Sequence, residues 1–294
     1  MEKPKIIAEI GCNHKGEMDI ALEMIKTAAT FCHVDVVKFQ KRNNHELLTE
    51  EEFNAPHPNP YNSYGATYGE HREYLEFSLE QHRQLQSWCN EFGVEYSCSV
   101  WDVTSAKEII SLNPAIIKIP SACNLNQELL TCICDHFDGE IHVSFGMTDR
   151  EEEEKIVSFF EKKGRNKELV IYSCTSGYPV PFEDICLLEL TRLRKTYKSR
   201  VKAIGFSGHH LGIAVDAAAV ALGAEWVERH FTLDRTWKGT DHAASLEPDG
   251  LRKLCRDCRV VYKALKYKDE DILEIEKPQL EKLKRNQIRW NDDK

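Results

Sequence analysis

Two stretches decide the fold: VKAIGFSGHH at residues 201–210 and AEWVERHF at residues 224–231. Each is a short apolar run that stops at a histidine, His209 in the first and His230 in the second. Between them LGIAVDAAAVALG, residues 211–223, has helical spacing of apolar residues and ends near a glycine, a common helix stop. The pattern is strand, helix, strand. Six further strand-like runs precede it, at 5–9, 35–39, 94–99, 115–119, 140–145 and 169–174, so that the last two strands span 202–206 and 225–229. Most are continuous apolar runs rather than strict alternations, as expected of parallel strands covered on both faces. Helical patterns lie between them, among them DIALEMIKTAATFC (19–32), LEQHRQLQSWCNEF (79–92) and REEEEKIVSFFEKKG (150–164), whose acidic opening suits a helix N-terminus. EPDGLRKLCRDCRVVYKALK (247–266) follows the eighth strand. Eight strands alternating with eight helices predict an α/β chain folded as a (β/α)8 TIM barrel. A doubly wound sheet would more often show six or fewer strands and a glycine-rich first turn; EIGCNHKG is not GxGxxG.

The reading assigns residues 1–266 to the barrel and 267–294, highly charged and weakly periodic, to a tail that forms a peripheral helix or is partly disordered. Residues 41–79 form a long connection after strand two. Its Pro, Asn, Gly and Tyr content predicts an ordered flap over the barrel mouth. No apolar run approaches the length of a membrane span, and the N-terminus lacks a signal-peptide layout, so a cytoplasmic protein without membrane contact is expected. Eleven cysteines in such a chain are expected to be reduced thiols. Cys132/Cys134 and Cys255/Cys258 sit in helical patterns without the knuckle of a zinc site. A net charge of −9 argues against a nucleic-acid partner but leaves room for an anionic small substrate met by a few lysines in a cleft.

In such barrels chemistry collects where the strands end. The exits carry Glu9, Asn13 and His14; Lys38 and Gln40; Ser97 and Ser99; Lys118 and Ser121; Thr175, Ser176 and Tyr178; Ser207 and His209; and Glu228, Arg229 and His230. Lys38 in VVKFQ and Lys118 in IIKIP stand where core residues belong. A buried ammonium must meet a carboxylate or an anionic ligand. Two of them beside several hydroxyls favour an anion site suited to a phosphate-bearing acid. Strands seven and eight are neighbours, with exits about 5 Å apart, so His209 and His230 can share one divalent ion. His210 and His242 are plainer candidates for solvent or loop contacts.

The motifs IAEIGCNHKG, VVKFQ, IKIPSA, CTSGYPVPFED, IGFSGHHLG and ERHFTLDRTWKGTDHAASLEP, taken in order over about residues 5–265, make the chain resemble the N-acetylneuraminate (sialic acid) synthase family. That resemblance implies condensation of phosphoenolpyruvate with an open-chain N-acetylmannosamine-like aldose and release of phosphate. It implies Glu9, Lys38 and Lys118 as catalytic residues. Lys38, Ser99, Lys118, Ser121 and Ser207 would surround phosphoenolpyruvate; Glu9, Gln40, Tyr178 and Asp241 would face the sugar. His209 and His230 would hold manganese, or else magnesium. Ser176 stands where the family has an Asn that helps hold phosphate, Cys123 where it often has a Glu, and Ser207-Gly208-His209 replaces its usual SDH. The family's C-terminal antifreeze-like domain has no counterpart in these residues, so the flap, through Tyr64, Tyr68 or His71, is expected to cover the sugar, and a homodimer facing mouth to mouth is implied. The alternatives are a synthase for another nonulosonate such as the deaminated acid from mannose, a metal-dependent pyruvate aldolase, or a catalytically weak sugar-phosphate binding protein.

Overall fold

A computed structural model describes residues 3–284. Eight parallel strands close into a barrel in chain order, β1 (Lys5–Gly11), β2 (Val36–Lys41), β3 (Glu95–Val100), β4 (Ile116–Ile119), β5 (Glu140–Ser144), β6 (Leu169–Cys174), β7 (Ala203–Gly208) and β8 (Trp226–His230), with β8 pairing back onto β1. This is the TIM barrel expected from the sequence. The helices are α1 (Met18–Lys26), α2 (Asn44–Leu47), α3 (Glu50–Asn54), α4 (Tyr68–Tyr74), α5 (Leu79–Glu91), α6 (Val103–Ser111), α7 (Gln127–His136), α8 (Arg150–Lys162), α9 (Glu189–Tyr197), α10 (Ala214–Ala221), α11 (Pro248–Ala264) and α12 (Lys277–Leu283). One compact unit ends at Tyr262, and residues from Lys263 onward form a second, small one that contains α12. The tail expected from 267 to the C-terminus lies outside the described residues beyond 284.

Strand periodicity builds two cores with opposite chemistry. One set of alternate side chains packs outward against the helices, as Ile6, Ala8, Val37, Phe39, Ile117, Ile171 and Val227 do. The other set points into the barrel. Its lowest layer is apolar, with Ile7, Val36, Ile116, Val170, Ala203 and Trp226 filling the floor together with Tyr172. Two residues further along those strands stand Glu9, Lys38, Lys118 and Glu228, all buried. Gly205 makes room at this level: a Cβ there would lie 2.5 Å from the Tyr172 ring. Below the charged layer the floor is mostly apolar, crossed by the Tyr172 hydroxyl, His142 and Glu140.

The connection after β2 is more structured than the flap expected from its composition. It holds α2, α3, a 3-10 turn (Pro60–Asn62) and α4. The signals are local: Thr49 with Glu52 and Thr67 with Glu70 form capping boxes that start α3 and α4, each helix being too short to stand on propensity alone. Cys132 and Cys134 lie on the buried face of α7, Cys255 and Cys258 on that of α11, and all eleven cysteines are free thiols. Among the described residues no helix is long and apolar enough to cross a membrane.

Candidate active site at the strand ends

A cavity of about 420 Å³ opens at the C-terminal ends of the strands. Glu9, Lys38, Gln40, Ser99, Lys118, Ser121, Ser176, Tyr178, Ser207, His209, His230 and Asp241, the candidates named from sequence, all line it. Register explains the gathering: Glu9 sits beside both Lys38 and His230, Gln40 beside Ser99, Ser99 beside Lys118, and Ser207 beside Glu228.

Glu228 ties this layer together. Its carboxylate accepts from Lys118 Nζ at 3.1 and 3.2 Å and from the Ser207 hydroxyl at 3.1 Å, and lies 3.7 Å from Lys38 Nζ. Lys38 also donates to Ser99 Oγ at 2.6 Å and pairs with Glu9. Lys118 rests 3.7 Å from the centroid of the Tyr172 ring, a cation–π contact in a dry site. The two carboxyls titrate apart. Burial pushes Glu9 up to about 8 despite Lys38. Burial also opposes ionisation of Glu228, but Lys118 and Lys38 outweigh it and hold that group below the ordinary carboxylate range. Burial pushes Lys118 down, whereas for Lys38 the two carboxylates overcome burial and raise it. The floor of the cavity thus holds two buried lysines against two carboxyls whose proton affinities are pushed in opposite directions.

Above the lysines, Ser121 and Ser176 form a cradle around Gly146, whose N–H donates to Ser121 Oγ at 3.0 Å. A Cβ on Gly146 would come within 2.4 Å of Ser176 Oγ and 2.7 Å of Ser121 Oγ, so only glycine leaves the space open. Across the mouth the ring centroids of His209 and His230 lie 5.4 Å apart, with the Tyr178 ring 4.4 Å from His209. Burial pushes the histidines down to about 4 and about 3, so both are neutral at pH 7. His209 Nδ1 donates to the Thr175 carbonyl at 2.9 Å, which fixes its tautomer and leaves Nε2 as the lone-pair nitrogen. His230 Nδ1 is buried without a hydrogen-bond partner among the described residues. Neutral imidazoles with one oriented by a carbonyl and the other unsatisfied fit a divalent cation. No group of three or more His, Cys, Asp or Glu is arranged to hold a metal among the described residues, so two imidazoles are the protein donors on offer.

Several residues at the exits do not join the site. Arg229, between Glu228 and His230, alternates outward, where it meets Asp216 at 2.5 Å and His210 Nε2 at 3.1 Å. His210 is thus buried in an ion network rather than at solvent. His242 is buried as well, sharing a proton with Thr232 Oγ1 at 2.8 Å. His14 stacks on Phe77 at 4.0 Å, and Ser97 sits lower in the barrel, donating to the Ile116 carbonyl. Cys123 packs into the core, and the cavity position beside Ser121 belongs to Ala122. Of the flap residues expected to face inward, His71 lines the cavity; Tyr64 and Tyr68 do not. Sequence reasoning missed Cys12, Arg42, Leu75, Trp101, Met147 and Thr240 on the wall, and missed the role of Glu228. Glu228 was within reach, since it lies two residues before His230 and must share its face. The others stand on loops, where no period reports direction.

The NeuB family profile matches residues 24–270. The chain belongs to the NeuB family. It is 38% identical over 278 residues to the N-acetylneuraminate-9-phosphate synthase of Mus musculus, covering 95% of this chain and 76% of that protein. It is 33% identical to the N,N'-diacetyllegionaminic acid synthase of Campylobacter jejuni over 90% of this chain and 78% of that protein. Among solved structures, the N-acetylneuraminic acid (sialic acid) synthetase from Leptospira borgpetersenii, in complex with citrate, superposes with a TM-score of 0.81 at 28% identity, covering 97% of this chain and 94% of that one. In this NeuB-family barrel the motifs that carry the resemblance are the strand ends that wall the cavity.

Proposed function

We propose that this chain is a nonulosonate synthase that condenses phosphoenolpyruvate with an open-chain, N-acetylmannosamine-like aldose and releases phosphate. One observation carries the reading: two buried lysines with Ser99, Ser121 and Ser207 share a single cavity with two neutral imidazoles. The lysines and the Ser121–Gly146–Ser176 cradle supply the charge and donors that a carboxylate and a phosphate need. In the reaction C3 of phosphoenolpyruvate bonds to the aldehyde carbon, water adds at C2, and phosphate departs by C–O cleavage, which gives a nine-carbon 2-keto acid. Lys38 and Lys118 hold the anionic substrate over the Tyr172 ring, and Glu228 and Ser207 fix the direction of Lys118. Gln40, Tyr178 and Asp241 line the space left for the sugar. His209 and His230 would hold a divalent cation, manganese in preference to magnesium because imidazole is the softer ligand. Such a cation supplies Lewis acidity toward an aldehyde oxygen.

Phosphate release, measured with phosphoenolpyruvate and a panel of hexoses, tests the reading. Activity should require phosphoenolpyruvate, vanish with chelator and return with manganese. His230→Ala should remove nearly all of it while leaving the thermal melt within a few degrees of wild type. Full activity with pyruvate in place of phosphoenolpyruvate would defeat the assignment. Undiminished activity in excess chelator would defeat the metal.

The relatives differ over phosphorylation: the mouse protein's name specifies a 9-phosphate product, the Campylobacter protein's name does not. The free thiols favour a reducing, cytoplasmic setting. A homodimer facing mouth to mouth is supported by exposed apolar side chains on the loops of that end, Leu125, Met147, Phe182, Leu188 and Leu211. Light scattering should return twice the 33.9 kDa chain mass; a monomer at micromolar concentration would exclude it.

A further inference from the structure

The floor beneath Lys118 holds polar groups that no substrate reaches. In parallel register Lys118 on β4 stands beside His142 on β5, and Tyr172 on β6 beside Gly205 on β7. Glycine at 205 leaves room for the phenol ring, which a Cβ there would crowd at 2.5 Å. The ring in turn meets the Lys118 ammonium, whose Nζ lies 3.7 Å from its centroid. Glu228 supplies the ammonium's carboxylate partner at 3.1 and 3.2 Å. Burial pushes Lys118 toward the neutral amine, which would attract no anion, so the ring face and Glu228 both act against that loss. Tyr172 and His142 are fully buried and stand off the cavity wall, so what they do for a substrate passes through Lys118.

The far end of this column assigns its protons. Burial opposes the Glu140 charge, but His142 and Lys202 hold that carboxyl ionised. It therefore accepts, and the proton of the neutral imidazole sits on His142 Nε2, 2.7 Å away. Nδ1 is left as an acceptor, so the Tyr172 hydroxyl at 2.8 Å donates to it. Burial raises the phenol well above its ordinary range, which keeps that proton in place. An O–H donated to an imidazole backed by a carboxylate leaves the ring richer in electrons and a stronger partner for a cation. Trp226, edge-on to the His142 ring with centroids 4.7 Å apart, packs the imidazole in position. Ile7, Val36, Ile116, Val170 and Ala203 fill the same layer with hydrocarbon. Hydrocarbon throughout would cost less to bury than a hydroxyl, an imidazole and a carboxylate, so packing alone does not account for the column.

We propose that Tyr172 is a positioning residue for phosphoenolpyruvate: polarised by His142 and Glu140, its ring holds the Lys118 ammonium in place beneath the anionic groups of the substrate. The assignment rests on the synthase reading above and adds to it a residue that touches neither substrate.

Steady-state phosphate release with each substrate varied in turn, beside calorimetric titration of phosphoenolpyruvate, tests the role. Tyr172→Leu removes the ring face and should raise the phosphoenolpyruvate KM by about 10- to 30-fold, with the aldose KM changed less than about threefold. Tyr172→Phe keeps the face and loses only the hydroxyl, so its rise should stop at about two- to fivefold. Val170→Ala opens a cavity in the same layer; it should lower the melting temperature yet leave the phosphoenolpyruvate KM within about twofold of wild type. An unchanged KM in Tyr172→Leu, equal rises in the two tyrosine variants, an aldose KM that climbs in step, or a Val170→Ala KM that follows its melt would each overturn the assignment. Should Tyr172→Leu not fold, Tyr172→Phe decides: a phosphoenolpyruvate KM equal to wild type removes the proposal. Should wild type turn over no aldose, the synthase reading fails, and the titration still decides the role of Tyr172. The Kd for phosphoenolpyruvate must then weaken in the same order, most in Tyr172→Leu. A wild type that does not bind phosphoenolpyruvate overturns both.

Discussion

Gly146 shows how much of this site rests on the absence of an atom. Its N–H and the hydroxyls of Ser121 and Ser176 surround a space that one methyl group would fill. Gly146→Ala should therefore raise the KM for phosphoenolpyruvate by tenfold or more, with the barrel intact, because the clash is with two hydroxyls rather than with backbone. An unchanged KM would show that the cradle holds nothing during the reaction. Glu228 presents the complementary case, a side chain whose neighbours define it. With Lys38, Lys118 and Ser207 around it, it stays ionised where burial alone would protonate it.

Among the elements, the flap and the loop after β8 act as a pair. Tyr64 donates its hydroxyl to the Lys238 carbonyl at 2.5 Å, the Lys238 ammonium lies 4.7 Å from the Tyr64 ring centroid, and Gly239 N–H reaches Asn62 Oδ1 at 3.4 Å. The flap carries His71, and the loop carries Thr240 and Asp241, all on the cavity wall. Tyr64 thus serves the site by latching its cover rather than by facing the sugar. Tyr64→Ala removes the hydrogen bond and the cation–π contact to that loop, together worth about 1–2 kcal/mol, besides the stacking of its ring on Tyr74 and His71. It should raise the aldose KM by several-fold and the phosphoenolpyruvate KM much less. Steady-state kinetics with each substrate varied would separate the two, and equal changes would discard the latch.

Through the whole molecule a buried column joins the two ends of the barrel. Below Lys118 the Tyr172 hydroxyl donates to His142 Nδ1 at 2.8 Å, His142 Nε2–H donates to Glu140 at 2.7 Å, and Glu140 pairs with Lys202 at the N-terminal rim. Burial keeps His142 neutral, at about 4. Burial also opposes the Glu140 charge, but the His142 hydrogen bond and Lys202 overcome it and hold that carboxyl down at about 2, against 4.5 ordinarily. A depressed carboxyl stabilises the fold fully above its unfolded value and loses that contribution as pH falls from about 4.5 to about 2. At 1.36 kcal/mol per unit this amounts to at most about 3 kcal/mol. The stability gap between wild type and Glu140→Gln should be widest near pH 6 and close across that window in thermal melts. A gap independent of pH would disprove the linkage.

The barrel and most of its active ring were legible because both follow from strand periodicity. Continuous apolar runs ending in His209 and His230, and lysines inside VVKFQ and IIKIP, report their own direction: a strand residue faces in or out by parity, and its neighbours two places away follow. The same rule placed Glu9, Ser99 and Ser207 and, applied once more, separates Glu228 from Arg229. What closed structure alone decided lies off the strands. Arg42, Trp101 and Met147 stand on connections with no period, Cys123 yielded its expected place to Ala122 through a single 3-10 turn, and His210 and His242 were drawn inward by Arg229 and Thr232. Whether a polar side chain finds its partner is a long-range fact. Arg229 meets Asp216, and among the described residues Arg72 pairs with no carboxylate, for reasons of chain closure that local sequence does not carry.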